Sequence, residues 1–156
     1  MNTLSSNSPP PTGSTGAARK VRLLLVDVHD ISRRSFRQLL DAIGTFEIVG
    51  DTGDTTEAMS LAETRHPDVV LMSVRVRGSS GIEMTRRFRA MSPAPQVVIL
   101  TLYDSPEYIQ ETARAGANGY VLKEAPVEQL LEAIDTVLRG KTYSSPGLPP
   151  LDNIKS

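Results

Sequence analysis

Cysteine is absent from the 156 residues, which excludes disulfides, thiolate metal centres and cysteine nucleophiles. Aromatic residues make up only 4% of the chain, so the basic segments lack the interleaved rings on which nucleic-acid bases stack. Charge of either sign is not in excess: 17 basic residues face 18 acidic ones. A formal net charge of −1 carries no polyanion-binding signature for the chain as a whole. Long hydrophobic runs are missing too. Val21 to Val28 and Val97 to Leu102 are the longest, far short of the roughly 20 residues of a membrane span. Met1 to Lys20 is mostly Ser, Thr, Pro, Gly and Asn, with no apolar leader core, so a cytoplasmic location is expected.

Two enzyme signatures are also missing. Gly13 to Lys20 is glycine-rich but lacks the Gly-Lys-Ser/Thr ending and the preceding strand of a phosphate loop. No nucleophile with an adjacent base and no catalytic carboxylate pair stands out, so no enzymatic activity is expected.

What is present is alternation. Residues 1–19 read as a disordered Pro/Ser/Gly-rich tail, with Pro9 to Pro11 in succession. From residue 20 to 141, short β-branched runs alternate with amphipathic segments. Strands are expected at Val21 to Asp27, Phe46 to Gly50, Val69 to Val74, Gln96 to Leu102 and Gly119 to Leu122. Helices are expected at Asp30 to Ile43, Thr55 to Arg65, Gly81 to Met91, Ser105 to Ala115 and Pro126 to Arg139. The first helix carries Phe36, Leu39, Leu40 and Ile43 on one stripe and ends at Gly44. Ser105 reads as an N-cap ahead of Pro106, and Asp30 as an N-cap for the first helix. Near-continuous apolar strands covered on both faces imply a three-layer, doubly wound parallel α/β fold, (βα)5 and flavodoxin-like, with strand order 2-1-3-4-5. Residues 142–156 read as a flexible C-terminal tail, too short for another folded domain.

In such sheets the ligand crevice lies beyond the carboxyl ends of the strands. Those ends hold Asp27-Val28-His29, Ser73-Val74-Arg75, Thr101 and Lys123. Five stretches surround them in order: Val21 to His29, Pro67 to Met72, Gly81 to Arg87, Val98 to Thr101 and Ala115 to Lys123. Together they resemble the receiver domains of bacterial response regulators, particularly the NarL/FixJ type, over about Val21 to Lys141.

The resemblance implies a Mg²⁺ site of two adjacent acids after the first strand plus an aspartate ending the third. That aspartate accepts phosphate from a histidine kinase. A hydroxyl residue and a lysine read the phosphate out. Carried over residue by residue, Asp27 matches the first acid, Val28 stands in place of the second, and Ser73 stands at the phosphoacceptor position. Thr101 matches the switch hydroxyl, Tyr120 the switch aromatic and Lys123 the lysine. Arg77 replaces a proline common after the acceptor, and Asp30 one common after the histidine.

Two of three carboxylates are therefore gone, and a hard divalent cation dehydrates reluctantly for one. Ser73 is a poor nucleophile without a base. No metal, cofactor or phosphotransfer is expected. Asp27 and Lys123 either pair directly, because an unpaired charge at a partly buried strand end is costly, or remain loosely solvated. Thr101 and Tyr120 also suit a plain strand end and a half-buried strand. His29 reads as a loop residue. Arg33, Arg34 and Arg37, like Arg86, Arg87 and Arg89, read as solvated faces.

The NarL/FixJ resemblance would place a helix-turn-helix after the receiver. The 15 residues after Lys141 contain Pro-Gly-Leu-Pro-Pro, so no DNA-binding domain is expected in this chain. The expected function is a phosphorylation-independent receiver-like module of two-component signalling. It would bind a protein partner or a second copy through the helix 4–strand 5–helix 5 face or the helix 1–helix 5 edge. Two alternatives are a small-ligand sensor in the less acidic crevice, and the receiver part of a transcriptional regulator whose DNA-binding domain is absent.

Overall fold

The computed structural model describes residues 19–73, 75, 76, 78–102, 106–148, 150 and 151, with positions 75 and 76 described by backbone alone. The expectations for the tail up to residue 18 (the glycine-rich stretch at 13–18 included), Val74 as a strand end, Arg77, Ser105 as a cap and the last five residues lie outside these positions.

The chain runs β1 (Val21–Val26), α1 (Asp30–Ile43), β2 (Phe46–Thr52), α2 (Thr55–Arg65), β3 (Val69–Ser73), β4 (Arg75–Val76), β5 (Ser79–Ser80) and α3 (Gly81–Arg89). It continues with β6 (Gln96–Thr101), α4 (Pro106–Ala115), β7 (Gly119–Leu122), α5 (Val127–Leu138) and β8 (Tyr143–Ser144). The main sheet is parallel throughout, in the order β2-β1-β3-β6-β7-β8. With β6 and β7 as the fourth and fifth predicted strands, the expected doubly wound order 2-1-3-4-5 holds.

Strand periodicity sorts the core into two layers. Leu24, Val26, Val70, Met72, Val97, Ile99 and Tyr120 face α2, α3 and α4. Their neighbours Leu23, Leu25, Val69, Leu71, Val98, Leu100 and Val121 face α1 and α5. A one-residue slip in any central strand would exchange its two sets, so register is tightly specified.

Helix ends follow local chemistry. Asp54 Oδ2 accepts from Glu57 N–H at 2.9 Å and Ser80 Oγ accepts from Glu83 N–H at 3.1 Å, capping α2 and α3. Gly44 closes α1 in the left-handed region at φ 86°, which costs a Cβ-free residue nothing.

The structure departs from expectation in four places. The sheet has six strands among the described residues, because the segment expected as a flexible tail adds β8 beside β7. Its composition resembles a linker, yet Ser145 and Leu151 are buried. A small antiparallel pair, β4 with β5, precedes α3. Its turn holds Gly78 at φ 97°, where a Cβ would lie 2.5 Å from Thr55 Oγ1. Asp30 is the first helical residue and not the cap; His29 occupies the cap position without a side-chain bond. The α1 stripe is only half inside: Leu40 is fully buried, whereas Leu39 and Ile43 are about two-fifths exposed.

Candidate functional site

Parallel strands deliver their carboxyl ends to one edge of the sheet, and the retained residues meet there. Asp27 follows β1. Its N–H bonds to Thr52 O at 2.9 Å, and its carboxylate is buried. Oδ1 accepts from His29 N–H at 2.9 Å, which turns the chain into α1. Oδ2 accepts from Lys123 Nζ at 2.6 Å, with the Lys123 and Asp27 side chains only 12% and 8% exposed. Of the two sequence readings, direct pairing is the observed one. Lys123 follows β7, and its N–H bonds to Thr101 O at 2.7 Å. Its ammonium also reaches Ser32 Oγ at 3.1 Å.

Ser73 ends β3, buried, in register with Leu100. Thr101, at the end of β6, and Tyr120, in β7, are buried. Tyr120 belongs to the layer under α4. Val28 is half-buried and His29 exposed. The structure thus gathers Asp27, Lys123, Ser73 and Thr101 at one edge of the sheet, with Tyr120 two residues before the end of β7, beside Ile99.

Sequence reasoning missed Ser32 and misread Arg33. Arg33 is not on a solvated face. Its guanidinium donates to the Asp27 carbonyl, to Asp30 Oδ1 at 2.7 Å and to Asp51 Oδ1 at 3.0 Å. Arg37 binds the other oxygen of Asp51. Burial opposes the charge of Asp51, but the hydrogen bonds and positive charge of Arg37 and Arg33 outweigh it and hold this carboxyl below its ordinary pKa. Burial likewise opposes the Arg33 charge, and Asp51 with Asp30 outweighs it, raising the Arg33 pKa. The signal was available: Arg33 and Arg37, spaced i and i+4, share a helix face turned toward the end of β2. Arg86 and Arg87 do lie on an exposed face, paired with Glu83.

A cavity of about 10 Å³ remains beside Asp27, Arg33, Ser73 and Phe36, room for about one water molecule. A cleft of about 340 Å³ lined by His66, Asp68, Met91 and Pro93 lies at the opposite end of the sheet and does not reach these residues.

The Mg²⁺ that receivers employ does not fit this donor set. One carboxylate is present, with an ammonium on one oxygen and an amide on the other, where a hard divalent cation wants several free anionic oxygens. Among the described residues no group of three His, Asp or Glu could hold a metal ion.

The chain matches the response regulator receiver domain over residues 23–135. It belongs to that family. Within it the chain is similar to an uncharacterized transcriptional regulatory protein, YxjL, of Bacillus subtilis, with 38% identity over 122 residues, 78% of this chain and 56% of that protein. The oxygen regulatory protein NreC of Staphylococcus carnosus is 36% identical over 127 residues, 81% of this chain and 58% of that protein. Among solved structures, a LuxR-family two-component response regulator from Aurantimonas superposes with a TM-score of 0.77 at 31% identity, covering 88% of this chain and 96% of that one. The receiver domain of the response regulator NarL from Mycobacterium tuberculosis gives 0.74 at 25% identity, covering 79% and 99%. The domain is thus a receiver of the NarL/DegU type. It spans a little over half the length of the curated relatives it matches. Among the described residues, no helix of this receiver is long and apolar enough to cross a membrane.

Proposed function

We propose that this receiver domain works without phosphoryl transfer, as a pseudo-receiver that acts by protein–protein association. The observation that carries the reading is the Lys123 ammonium 2.6 Å from Asp27 Oδ2, in a pocket whose acceptor position is Ser73. In a phosphorylatable receiver this lysine answers a phosphoryl group. Here its charge is already neutralised by the one remaining acid, with Ser32 as a second partner. A ligand shifts a conformational equilibrium only through differential affinity. With that ligand's site filled from within, the balance of states is set by the sequence or by a protein partner.

The α1–α5 edge supports association with a second copy. Leu39 and Ile43 of α1 and Leu138 of α5 are 40%, 38% and 41% exposed. Parallel crossovers bring Ile43 and Leu138 to the same end of the same sheet face. The alternative of a receiver serving a transcriptional regulator is favoured by the names and greater length of the relatives.

The test is solution mass by size-exclusion chromatography with light scattering, with and without Mg²⁺ plus beryllofluoride. A mass that ignores the additive is expected. A mass that doubles on addition overturns the phosphate-independent reading.

A further inference from the structure

Ser73 ends β3 on the same strand face as Leu71, so its hydroxyl enters the layer beneath α1 and α5. The residue is 6% exposed. Among the described residues no hydrogen bond ends on Ser73 Oγ, although the large majority of buried side-chain polar groups have a partner. The side chain lines the cavity of about 10 Å³ beside Asp27, Arg33 and Phe36. Leu25, Leu71 and Leu100 form apolar walls of the same space. Serine is shorter than the aspartate that phosphorylatable receivers carry at this position, so room is left at this strand end.

We propose that this cavity is a binding site for one buried water molecule, which bridges Ser73 Oγ to the Asp27 carboxylate. The size fits, since a single water needs about 10–15 Å³ of such space and roughly 2–4 polar partners. The partners fit too. A carboxylate has acceptor capacity on both oxygens beyond one bond each, and His29 N–H and Lys123 Nζ take one each on Asp27. The Ser73 O–H donates to the water, and the water donates to Asp27. Arg33 lines the same space and has more N–H groups than the three engaged on the Asp27 carbonyl, Asp30 and Asp51, so a donor is left for the water oxygen. Charge selects the occupant. A cation would meet the Lys123 ammonium and the Arg33 guanidinium, and an anion would meet the Asp27 carboxylate. A neutral molecule that both donates and accepts meets neither repulsion. Through this water Ser73 becomes a positioning residue for the Asp27–Lys123 pair, holding the carboxylate where the ammonium reaches it. The site stands on the cavity and the unpartnered hydroxyl, independently of the phosphate-independent reading.

The test uses the full chain in Tris sulfate free of sodium and chloride. A water that stays bound while the protein tumbles gives negative nuclear Overhauser peaks to nearby protons. Such peaks are expected at the methyl groups of Leu25, Leu71 and Leu100, and they should vanish in Ser73→Val, whose methyl groups fill the space. The melting midpoint of Ser73→Ala is the second readout. Removing a hydroxyl that bonds a water lowers the midpoint, by about 3 °C for a chain of this length. Removing an unpartnered hydroxyl from a dry cavity raises it. The site is overturned by missing peaks in the wild type, by peaks that survive in folded Ser73→Val, or by a raised midpoint in Ser73→Ala. Peaks that added sodium chloride abolishes identify an ion as the occupant and overturn the water. If Ser73→Val does not fold, the wild-type peaks and the Ser73→Ala midpoint decide. Failure of the phosphate-independent reading is seen separately, as a doubled mass with beryllofluoride.

Discussion

Replacing Lys123 by methionine removes the ammonium and keeps most of the side-chain volume. The Asp27 carboxylate then stays in its buried place with one hydrogen bond, from His29 N–H. At the observed separation of 2.6 Å, the gross attraction is about 6 kcal/mol for an effective dielectric near 20. Much of that offsets the desolvation of the two groups, so the pair's net worth is far smaller. Breaking the pair is a different matter, because it strands a buried charge at a cost of about 3–5 kcal/mol. The pair keeps some contact with solvent, at 12% exposure for Lys123 and 8% for Asp27, which favours the lower figure. A loss of about 3 kcal/mol is a large part of the 5–15 kcal/mol that holds a typical domain folded. With a urea slope of about 1.5 kcal/mol per molar, the midpoint should fall by about 2 M. Circular dichroism is the suitable probe, since the chain has no tryptophan. The double variant Asp27→Asn/Lys123→Met removes both charges and should recover at least half of the loss. A single variant within about 0.5 kcal/mol of wild type would refute the reasoning, for then the pair is no more than a solvated surface contact.

Three further outcomes follow from the geometry. Ser73→Asp alone should lower stability and gain no Mg²⁺-dependent rise in melting temperature, because it adds a like charge beside Asp27; Val28→Asp/Ser73→Asp rebuilds three carboxylates and should gain one. Asp51 has a lowered pKa in the fold, so the stability it contributes is present above its unfolded pKa of about 4 and is lost as pH falls through the lower folded value; Arg37→Ala should flatten that acid limb in pH-dependent urea titrations. Tyr143 has a raised pKa, through burial first and then the charge and hydrogen bond of Glu132, so its contribution is intact below about pH 10 and is lost as pH rises beyond; a Glu132→Gln variant, melted across that range, should lose less stability than the wild type.

Much of the fold is visible in the chain because the parallel strands are bilaterally buried. Val69 to Met72 and Val97 to Leu100 are continuous apolar runs, and their flanking helices have clear stripes. The site positions are visible for the same reason, since strand ends deliver them. The misses have particular causes. Ser144 in β8 and Ser145 just after it have no β-propensity to speak of; their place is set by the open edge of β7, a tertiary demand that a local pattern does not show. Leu39 and Ile43 fit the helical stripe, yet they remain about two-fifths exposed at its margin. Arg33 looked like part of a solvated run because its partner Asp51 is 18 residues away. Ser32 had no motif to mark it and is found only by following Lys123.

Arg33 carries one more consequence. It ties the loop after β1 to Asp30 and to the end of β2, through hydrogen bonds to Asp27, Asp30 and Asp51. The loop is pegged from the helix side of the pocket. The turn from β1 into α1 is therefore held by bonds that do not depend on the residue at position 28 or 73, so a change in the pocket's acids leaves the entry into α1 anchored.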